Sequence, residues 1–395
     1  MIPYHDAVSS VKENVPVRDT EEVEVADAAG RTLAVDVISR ISSPPFDKAA
    51  MDGFAVREED VQELPAELTL VEETFAGQWP TREVESGECA RITTGAPVPP
   101  GADMVVMVEH TEELPDGRVR VDRLSGGNIC LEGEDVKGGE VVLTAGERLN
   151  PMHLGVAGGA GHDRLTVYSR PSIAVLCTGE EVREPGEDVE KGQIYNANGP
   201  ILRSLLRPRA DVLNYLGIVG DDREELKQKV ALGLDSDILV MSGGVSAGEY
   251  DLVPDALEEL GVEILFHKWK VKPGKPALFG RRDETCVFAL PGNPQSVFVS
   301  FHLLIRPALA AMEGITEGVP EFRTGRLAEA LKNKPGRRAF KPCRIRTEEG
   351  TNRVVPISYH GSADIAASAD AEAFFTLPED CERVEAGDLV KYFEV

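Results

Sequence analysis

The chain has 395 residues, of which 42% are hydrophobic and 28% are charged, and its formal net charge is −26. This length exceeds what one hydrophobic core usually covers, so we expect about two to four domains. The strong negative charge argues against a nucleic-acid partner, which would need a basic surface. No apolar run reaches the roughly 18 residues that a membrane span needs, and the N-terminus lacks the pattern of a secretory signal. We therefore expect a cytoplasmic protein without a membrane partner.

The six cysteines contain no Cys-x-x-Cys pair. Cys177 and Cys286 lie inside apolar runs that resemble strands. We therefore expect reduced, buried thiols. The histidines show no metal-ligand spacing, so the sequence does not predict a structural zinc site.

The first 170 residues predict two kinds of structure. A helical pattern begins at Tyr4, whereas residues 41–140 are rich in glycine, proline and short β-like runs. We expect residues 41–140 to form a β-rich domain. Residues 1–40 and 141–170 should form an elongated, partly helical linking domain.

Residues 171–320 alternate between strand-like and helix-like segments. This alternation predicts a central, mostly parallel sheet with helices on both faces. Right-handed crossovers would bring the C-terminal ends of the strands to one edge, where ligands bind. After residue 321 the short alternating runs predict a small C-terminal β-barrel-like domain, residues 321–395. The predicted fold class is therefore multidomain α/β.

The segment DILVMSGGVSAGEYD, residues 237–251, is the most informative part of the chain. Its apolar run ends in glycines, and the candidate binding residues are Gly243, Gly244, Ser246, Gly248 and Asp251. Backbone N–H groups in such a turn can bind an anion, and carboxylates beside them can hold a hard cation such as Mg²⁺. Alternatively, the glycines only relieve backbone strain in a strand–helix turn. The segment alone leaves both interpretations open.

Further acidic or rigid turns should lie at the same sheet edge. Glu181 follows the first predicted strand, Asp221 follows the second, and Pro291 and Pro294 follow the last. An acidic residue after a strand usually caps the next helix. However, several carboxylates at one edge repel each other unless a cation lies among them. The sequence therefore also predicts a cation site there.

Positive charge is concentrated in HKWKVKPGKP. Lys268, Lys270 and Lys272 alternate, so on a strand they would lie on one face, and Lys275 follows in a Pro-Gly turn. In a chain of charge −26 such a row favours a phosphate-rich ligand. A solvated strand face would show the same spacing.

Seven motifs occur together in the chain: PPFDKAAMDGFAV, RITTGAPVPPGADMVVMVE, GEDVKGGE, TGEE, SGGVSAGEYD, KPGKP and LPGNPQS. Their identity and order resemble the molybdopterin molybdenumtransferase family, which includes MoeA and the E domain of gephyrin. The chain resembles this family over residues 1–395. The resemblance implies an enzyme that inserts molybdate into adenylylated molybdopterin, releases AMP and requires Mg²⁺. It also implies an elongated homodimer whose sites lie between one subunit's α/β domain and the other's β-rich domain.

The resemblance further implies the site residues. Asp52, Thr94 and Asp135 would come from the partner subunit, although by spacing alone each is a plain turn residue. The carboxylates that would face them and hold Mg²⁺ are Glu181, Asp221 and Asp251. The residues that would bind phosphate, pterin or molybdate are Lys268, Lys272, Lys275, Pro291, Pro294, Arg337 and Ser362.

Two segments depart from the family pattern. The family commonly has Gly-Arg-x-x-Phe-x-Arg, whereas residues 336–342 read GRRAFKP, so the second basic residue is displaced or lost. Lys48 and Ala49 replace part of a serine-containing run. Three alternatives stay open: a tungstate-inserting paralogue, the much shorter molybdopterin adenylyltransferase, and a non-enzymatic scaffold. The adenylyltransferase of the same pathway is also a candidate partner.

Overall fold

The computed structural model describes residues 1–124, 126–245, 252–315, 320–348 and 350–395. The predicted site residues Ser246, Gly248 and Asp251 lie outside these described residues. The chain forms two compact units: Met1–Thr20 with Tyr168–Val395, here called the first unit, and Glu21–Val167, the second unit. The finer division into four domains stays a prediction.

The first unit is built on a six-stranded sheet, here called the central sheet. In spatial order its strands are Leu213–Val219, Ile173–Thr178, Ile238–Ser242, Thr285–Leu290, Leu278–Arg282 and Glu263–His267. The first four run parallel to one another, Leu278–Arg282 runs antiparallel to them, and Glu263–His267 runs antiparallel to Leu278–Arg282. Every residue of Ile238–Ser242 is buried, because helices cover both faces of a parallel sheet. The predicted mostly parallel sheet is confirmed.

Two apolar cores lie on the two faces of the central sheet. Ile173 and Val175 point into one core, while the alternate residues Ala174 and Leu176 point into the other, as the twofold period of a strand requires. The helices around the sheet are Tyr4–Asn14, Asn198–Leu206, Arg223–Gly233, Leu252–Glu259, Pro294–Ser300 and Arg306–Met312, with short 3₁₀ and π turns at Arg207–Arg209 and Phe301–Ile305. The first helix packs into the core that contains Ile173.

One helical segment, Pro294–Met312, is long and apolar enough to cross a membrane by length and composition. However, 89% of its apolar window is buried inside the protein. The segment is the core helix of the first unit, which explains its composition.

The C-terminal region forms a closed five-stranded barrel, which confirms the predicted barrel-like domain. In order around the barrel the strands are Arg338–Glu348, Thr351–Pro356, Arg323–Leu327, Leu389–Glu394 and Ala373–Leu377, and the last pairs with the first. The short strand Val271–Lys272 adds to the barrel beside Arg338–Glu348. The remaining short elements are Leu331–Lys332 paired with Arg383–Val384, Val182–Arg183 paired with Ile194–Tyr195, and the helical turn Ile365–Ser368.

The second unit is β-rich, as predicted. Its main sheet has six strands, in the order Met104–Met107, Gly53–Val56, Glu88–Ile92, Ala66–Thr74, Arg118–Val121 and Thr111–Glu113. Three two-stranded pairs accompany it in sequence: Lys48–Ala49 with Ile129–Cys130, Val37–Ile38 with Val141–Leu143, and Thr20–Glu24 with Arg164–Tyr168. Its helices are Pro151–Gly159 and the 3₁₀ turns Val25–Asp27, Glu58–Val61 and Val108–His110.

All six cysteines are free thiols. Cys89, Cys177, Cys286 and Cys343 are buried, and Cys130 and Cys381 are partly exposed. Burial raises the pKa of Cys177 to about 11, so this thiol stays protonated at neutral pH.

Candidate active site

A pocket of about 740 Å³ opens in the first unit where the parallel strands of the central sheet end. Turns that follow all four parallel strands line it, together with residues of the barrel region. Ten of the predicted site residues line this one pocket: Glu181, Asp221, Gly243, Gly244, Lys272, Lys275, Pro291, Pro294, Arg337 and Ser362. The pocket thus brings carboxylates, cationic side chains and glycine turns together at the edge where α/β sheets bind ligands.

The two adjacent aspartates after Leu213–Val219 have different roles. The Asp222 side chain accepts a hydrogen bond from the Glu225 N–H at 2.8 Å and so caps the helix Arg223–Gly233. Asp221 is exposed and lines the pocket. Helix capping therefore explains the role of the Asp222 carboxylate, whereas the Asp221 carboxylate is available to a ligand.

Glu181 lies on the turn that follows the first parallel strand. The Gly179 N–H donates to the Val219 carbonyl at 3.0 Å, and the Ile194 N–H donates to the Glu181 carbonyl at 2.9 Å. These backbone bonds hold the turn on both sides while the Glu181 side chain stays exposed at the pocket.

The carboxylates among the described residues could bind a magnesium ion if a substrate supplied its other ligands. Among them, no group of three or more His, Cys, Asp and Glu side chains could hold a metal ion alone. Mg²⁺ usually keeps several waters and takes one or two carboxylates plus substrate phosphates. Glu181 and Asp221, which line the same pocket, supply that number of carboxylates.

The glycine turn after Ile238–Ser242 needs glycine for steric reasons. Gly243 has a φ of +99°, and a Cβ there would lie 2.4 Å from the Thr178 carbonyl oxygen. Its N–H donates to the Leu290 carbonyl at 3.0 Å. This N–H therefore joins two neighbouring strands and does not face an anion, so the structural alternative holds at Gly243.

The predicted row of lysines on one strand face is wrong. The strand Glu263–His267 ends before Lys268, which has a φ of +74°, and Lys272 belongs to the separate strand Val271–Lys272. Between them Trp269 is fully buried, and its indole N–H donates to the Gly274 carbonyl at 2.7 Å. This turn places Lys272 and Lys275 at the pocket, whereas Lys268 is not among its lining residues.

The GRRAFKP segment places its three basic residues in different surroundings. Arg337 lines the pocket and donates to the Val271 carbonyl at 3.3 Å. The Arg338 guanidinium lies over the Tyr4 ring, 5.5 Å from its centroid. Burial, and then the positive charge of Lys272, lower the pKa of Lys341. The displaced basic residue, Lys341, is therefore a half-buried neighbour of Lys272.

The last pocket wall joins the Pro-Gly-Asn-Pro turn to the barrel region. The Asn293 amide donates to the Ser362 hydroxyl at 2.8 Å, and the Gln295 N–H donates to the Ser362 carbonyl at 3.2 Å. Tyr359 also lines the pocket, and burial raises the pKa of its hydroxyl. This wall is therefore fixed by hydrogen bonds and stays uncharged.

Polar residues outside the predicted site also line the pocket, among them Asn196, Asn198, Ser242 and Tyr359. Asn196 is buried, accepts from the Gly199 N–H at 2.9 Å and donates to the Tyr215 hydroxyl at 2.8 Å. The run IYNANGP, which leads into the helix Asn198–Leu206 at the ligand edge, is the signal that could have indicated the two asparagines.

The other three predicted residues lie in the second unit. The Asp52 carboxylate accepts from the Thr94 N–H at 2.7 Å and from the Thr94 hydroxyl at 2.8 Å. These hydrogen bonds, the backbone one first, lower the pKa of Asp52. Asp135 is exposed in another turn, where its N–H donates to the Ser43 carbonyl at 3.0 Å. Asp52 and Thr94 thus form a pair with a fixed negative charge.

Comparisons with known proteins identify three matching family models. Residues 2–161 match the MoeA N-terminal region (domain I and II), residues 174–311 a probable molybdopterin binding domain, and residues 324–395 the MoeA C-terminal region (domain IV).

Full-length relatives are also similar. The chain is 34% identical to a molybdopterin molybdenumtransferase of Haemophilus influenzae, covering 99% of this chain and 98% of the relative. It is 32% identical to one from Staphylococcus aureus, with 98% and 94% covered. A crystal structure of a molybdopterin biosynthesis moeA protein from Pyrococcus horikoshii superposes with a TM-score of 0.84 at 31% identity, covering 100% of both chains.

Proposed function

The chain belongs to the molybdopterin molybdenumtransferase family, enzymes of molybdenum cofactor biosynthesis, and we propose that it inserts molybdate into adenylylated molybdopterin with release of AMP. One observation carries this proposal: Glu181 and Asp221 line the same pocket as Lys272, Lys275 and Arg337. Carboxylates for a divalent cation and cationic groups for phosphates are what a Mg²⁺-dependent cleavage of a phosphate link requires.

The proposed chemistry is mainly positioning. Lys272 and Lys275 bind the phosphates of the substrate, and their positive charge offsets the charge that moves to the leaving AMP. Glu181 and Asp221 would hold Mg²⁺, which when bound would stabilise negative charge on the phosphate oxygens. Correct orientation of the reacting groups supplies most of the rate acceleration.

Molybdate is proposed to bind where the barrel region meets the pocket. It is a tetrahedral dianion, and Arg337 offers a planar set of N–H donors that suits such an anion. Ser362 lies on the same pocket lining, held next to the Pro291–Pro294 turn by Asn293. Lys341, the half-buried neighbour of Lys272, is the basic residue that the altered motif still offers in this region.

We further propose that the protein works as a cytoplasmic homodimer. The family resemblance supports a site in which Asp52, Thr94 and Asp135 act with the pocket of the partner subunit. Asp52 suits such a role because its carboxylate is exposed and its lowered pKa keeps it charged.

The test is to mix the purified protein with adenylylated molybdopterin, Mg²⁺ and molybdate and to measure AMP and finished cofactor. We expect AMP release that depends on both Mg²⁺ and the oxyanion. No AMP release under these conditions would refute the proposed function. Replacing molybdate with tungstate tests the metal, since both oxyanions have the same charge and shape. A higher cofactor yield with tungstate would indicate the tungstate-inserting alternative.

A further inference from the structure

Asn198 connects two of the turns that form the pocket. Its side-chain Nδ2 donates to the Ser242 hydroxyl at 2.9 Å and to the Gly292 carbonyl at 2.7 Å. Ser242 is the last residue of its strand and leads into the Gly243-Gly244 turn. Gly292 lies in the turn that also contains Pro291 and Pro294. One amide group therefore spans the gap between both turns.

The orientation of this amide is fixed by its partners. The Gly292 carbonyl can only accept a hydrogen bond, so the atom facing it must be Nδ2. The Asn198 Oδ1 atom is then buried, and it has no hydrogen-bond partner within the described part of the chain. A buried acceptor without a partner is unfavourable. The stabilising hydrogen bonds of this side chain are therefore the two that Nδ2 donates.

Asn198 is carried by a rigid element. It is the first residue of the helix Asn198–Leu206, whose Leu202 and Leu206 side chains are fully buried in the core. Just before the helix, Asn196 holds the Gly199 N–H and the Tyr215 hydroxyl. The donor group therefore has a fixed position from which it can set the distance between the two turns.

We propose that Asn198 is a positioning residue of the reaction, whose amide holds the Ser242–Gly244 turn and the Pro291–Pro294 turn at the spacing that the substrate needs. This inference rests on the proposed function of the pocket. Small displacements of reacting groups have large effects on rate, so loss of this bridge should lower turnover more than substrate binding.

The test is the Asn198→Asp variant, which keeps the shape and replaces both N–H donors by an acceptor. We expect kcat per folded protein to fall on the order of 10²-fold, with a much smaller change in KM. Activity of this variant should partly recover as the pH is lowered, because a protonated carboxyl can again donate one hydrogen bond. Asn198→Ala should show the loss without that recovery.

Asn333→Asp is the matched control. The Asn333 amide also donates to a backbone carbonyl, that of Cys381 at 3.0 Å, and its Oδ1 is likewise buried without a partner among the described residues. Asn333 does not line the pocket. We expect this variant to keep the wild-type kcat per folded protein, even where its stability falls.

Three results would overturn the inference: a wild-type kcat in Asn198→Asp, a loss equal to that of Asn333→Asp, or the same pH profile in the Asp and Ala variants. If Asn198→Asp does not fold, Asn198→Ser, which keeps one donor, provides the same comparison with a smaller expected loss. Failure of the proposed function is distinguishable, because the wild-type protein itself would then release no AMP.

Discussion

The neighbouring residues Asp221 and Asp222 allow a test that separates stability from function. Asp222 caps a helix through one hydrogen bond of 2.8 Å, and removing such a cap costs about 1 kcal/mol. Asp222→Ala should therefore lower the free energy of unfolding by about that amount, with turnover per folded protein unchanged. Asp221 is exposed and is not the cap, so Asp221→Ala should change stability by less than about 0.5 kcal/mol. Its turnover should fall on the order of 10²-fold if the carboxylate holds Mg²⁺.

The assay for this pair combines urea unfolding with AMP release measured at several Mg²⁺ concentrations. Because Asp221→Ala would remove one of two carboxylates, part of its activity should return when Mg²⁺ is raised. Asp222→Ala should show the wild-type dependence on Mg²⁺. The assignment would be refuted if Asp222→Ala lost more turnover than Asp221→Ala, or if both variants lost the same amount of stability.

Removing Mg²⁺ with a chelator should abolish AMP release without changing the urea midpoint, and residual AMP release would contradict a metal-dependent step. Mixing Asp52→Ala with Asp221→Ala subunits should restore roughly a quarter of wild-type activity, because about half of the dimers are mixed and each mixed dimer has one intact site of two. Mass labelling would show whether subunits exchange. If they exchange and no activity returns, both residues belong to one subunit's site. Burial, and then the charges of Arg306 and Arg209, lower the pKa of His302 to about 3, from about 6.5 in the unfolded chain. Between these two pKa values only the unfolded chain takes up the proton, so the free energy of unfolding should fall by about 2 kcal/mol from pH 7 to pH 5. The His302→Phe variant should show a smaller fall. Equal pH dependence in both proteins would show that His302 is not the cause.

The central sheet and the barrel were predictable because their signals are local. Continuous apolar runs such as Ile238–Met241 indicate buried parallel strands, and the alternating runs after residue 321 indicate a small barrel. The resemblance to the family also implied eight residues that the structure brings to one pocket, and the glycine-turn pattern indicated two more, Gly243 and Gly244. Their chemical roles stay predictions.

The missed features depend on contacts between distant parts of the chain. Asn198 donates hydrogen bonds to residues that are 44 and 94 positions away in the sequence. No local sequence pattern therefore indicates that it links two turns. The predicted row of lysines was wrong because the strand ends before Lys268, whose φ is +74°. A positive φ at a lysine is uncommon and is imposed by the tertiary structure. Asp221 and Asp222 are chemically identical in sequence, and only the helix start decides which one is the cap.

The strand Val271–Lys272 affects how the first unit unfolds. It lies between two strands of the central sheet in sequence but pairs with Arg338–Glu348 of the barrel. Barrel residues such as Phe374 and Phe393 belong to the same apolar core as the helices on the central sheet. Cutting the chain at residue 321 would therefore expose apolar surface and remove the anchor of Lys272. The barrel and the sheet should unfold in one cooperative transition, so neither can be exchanged between relatives as an independent module.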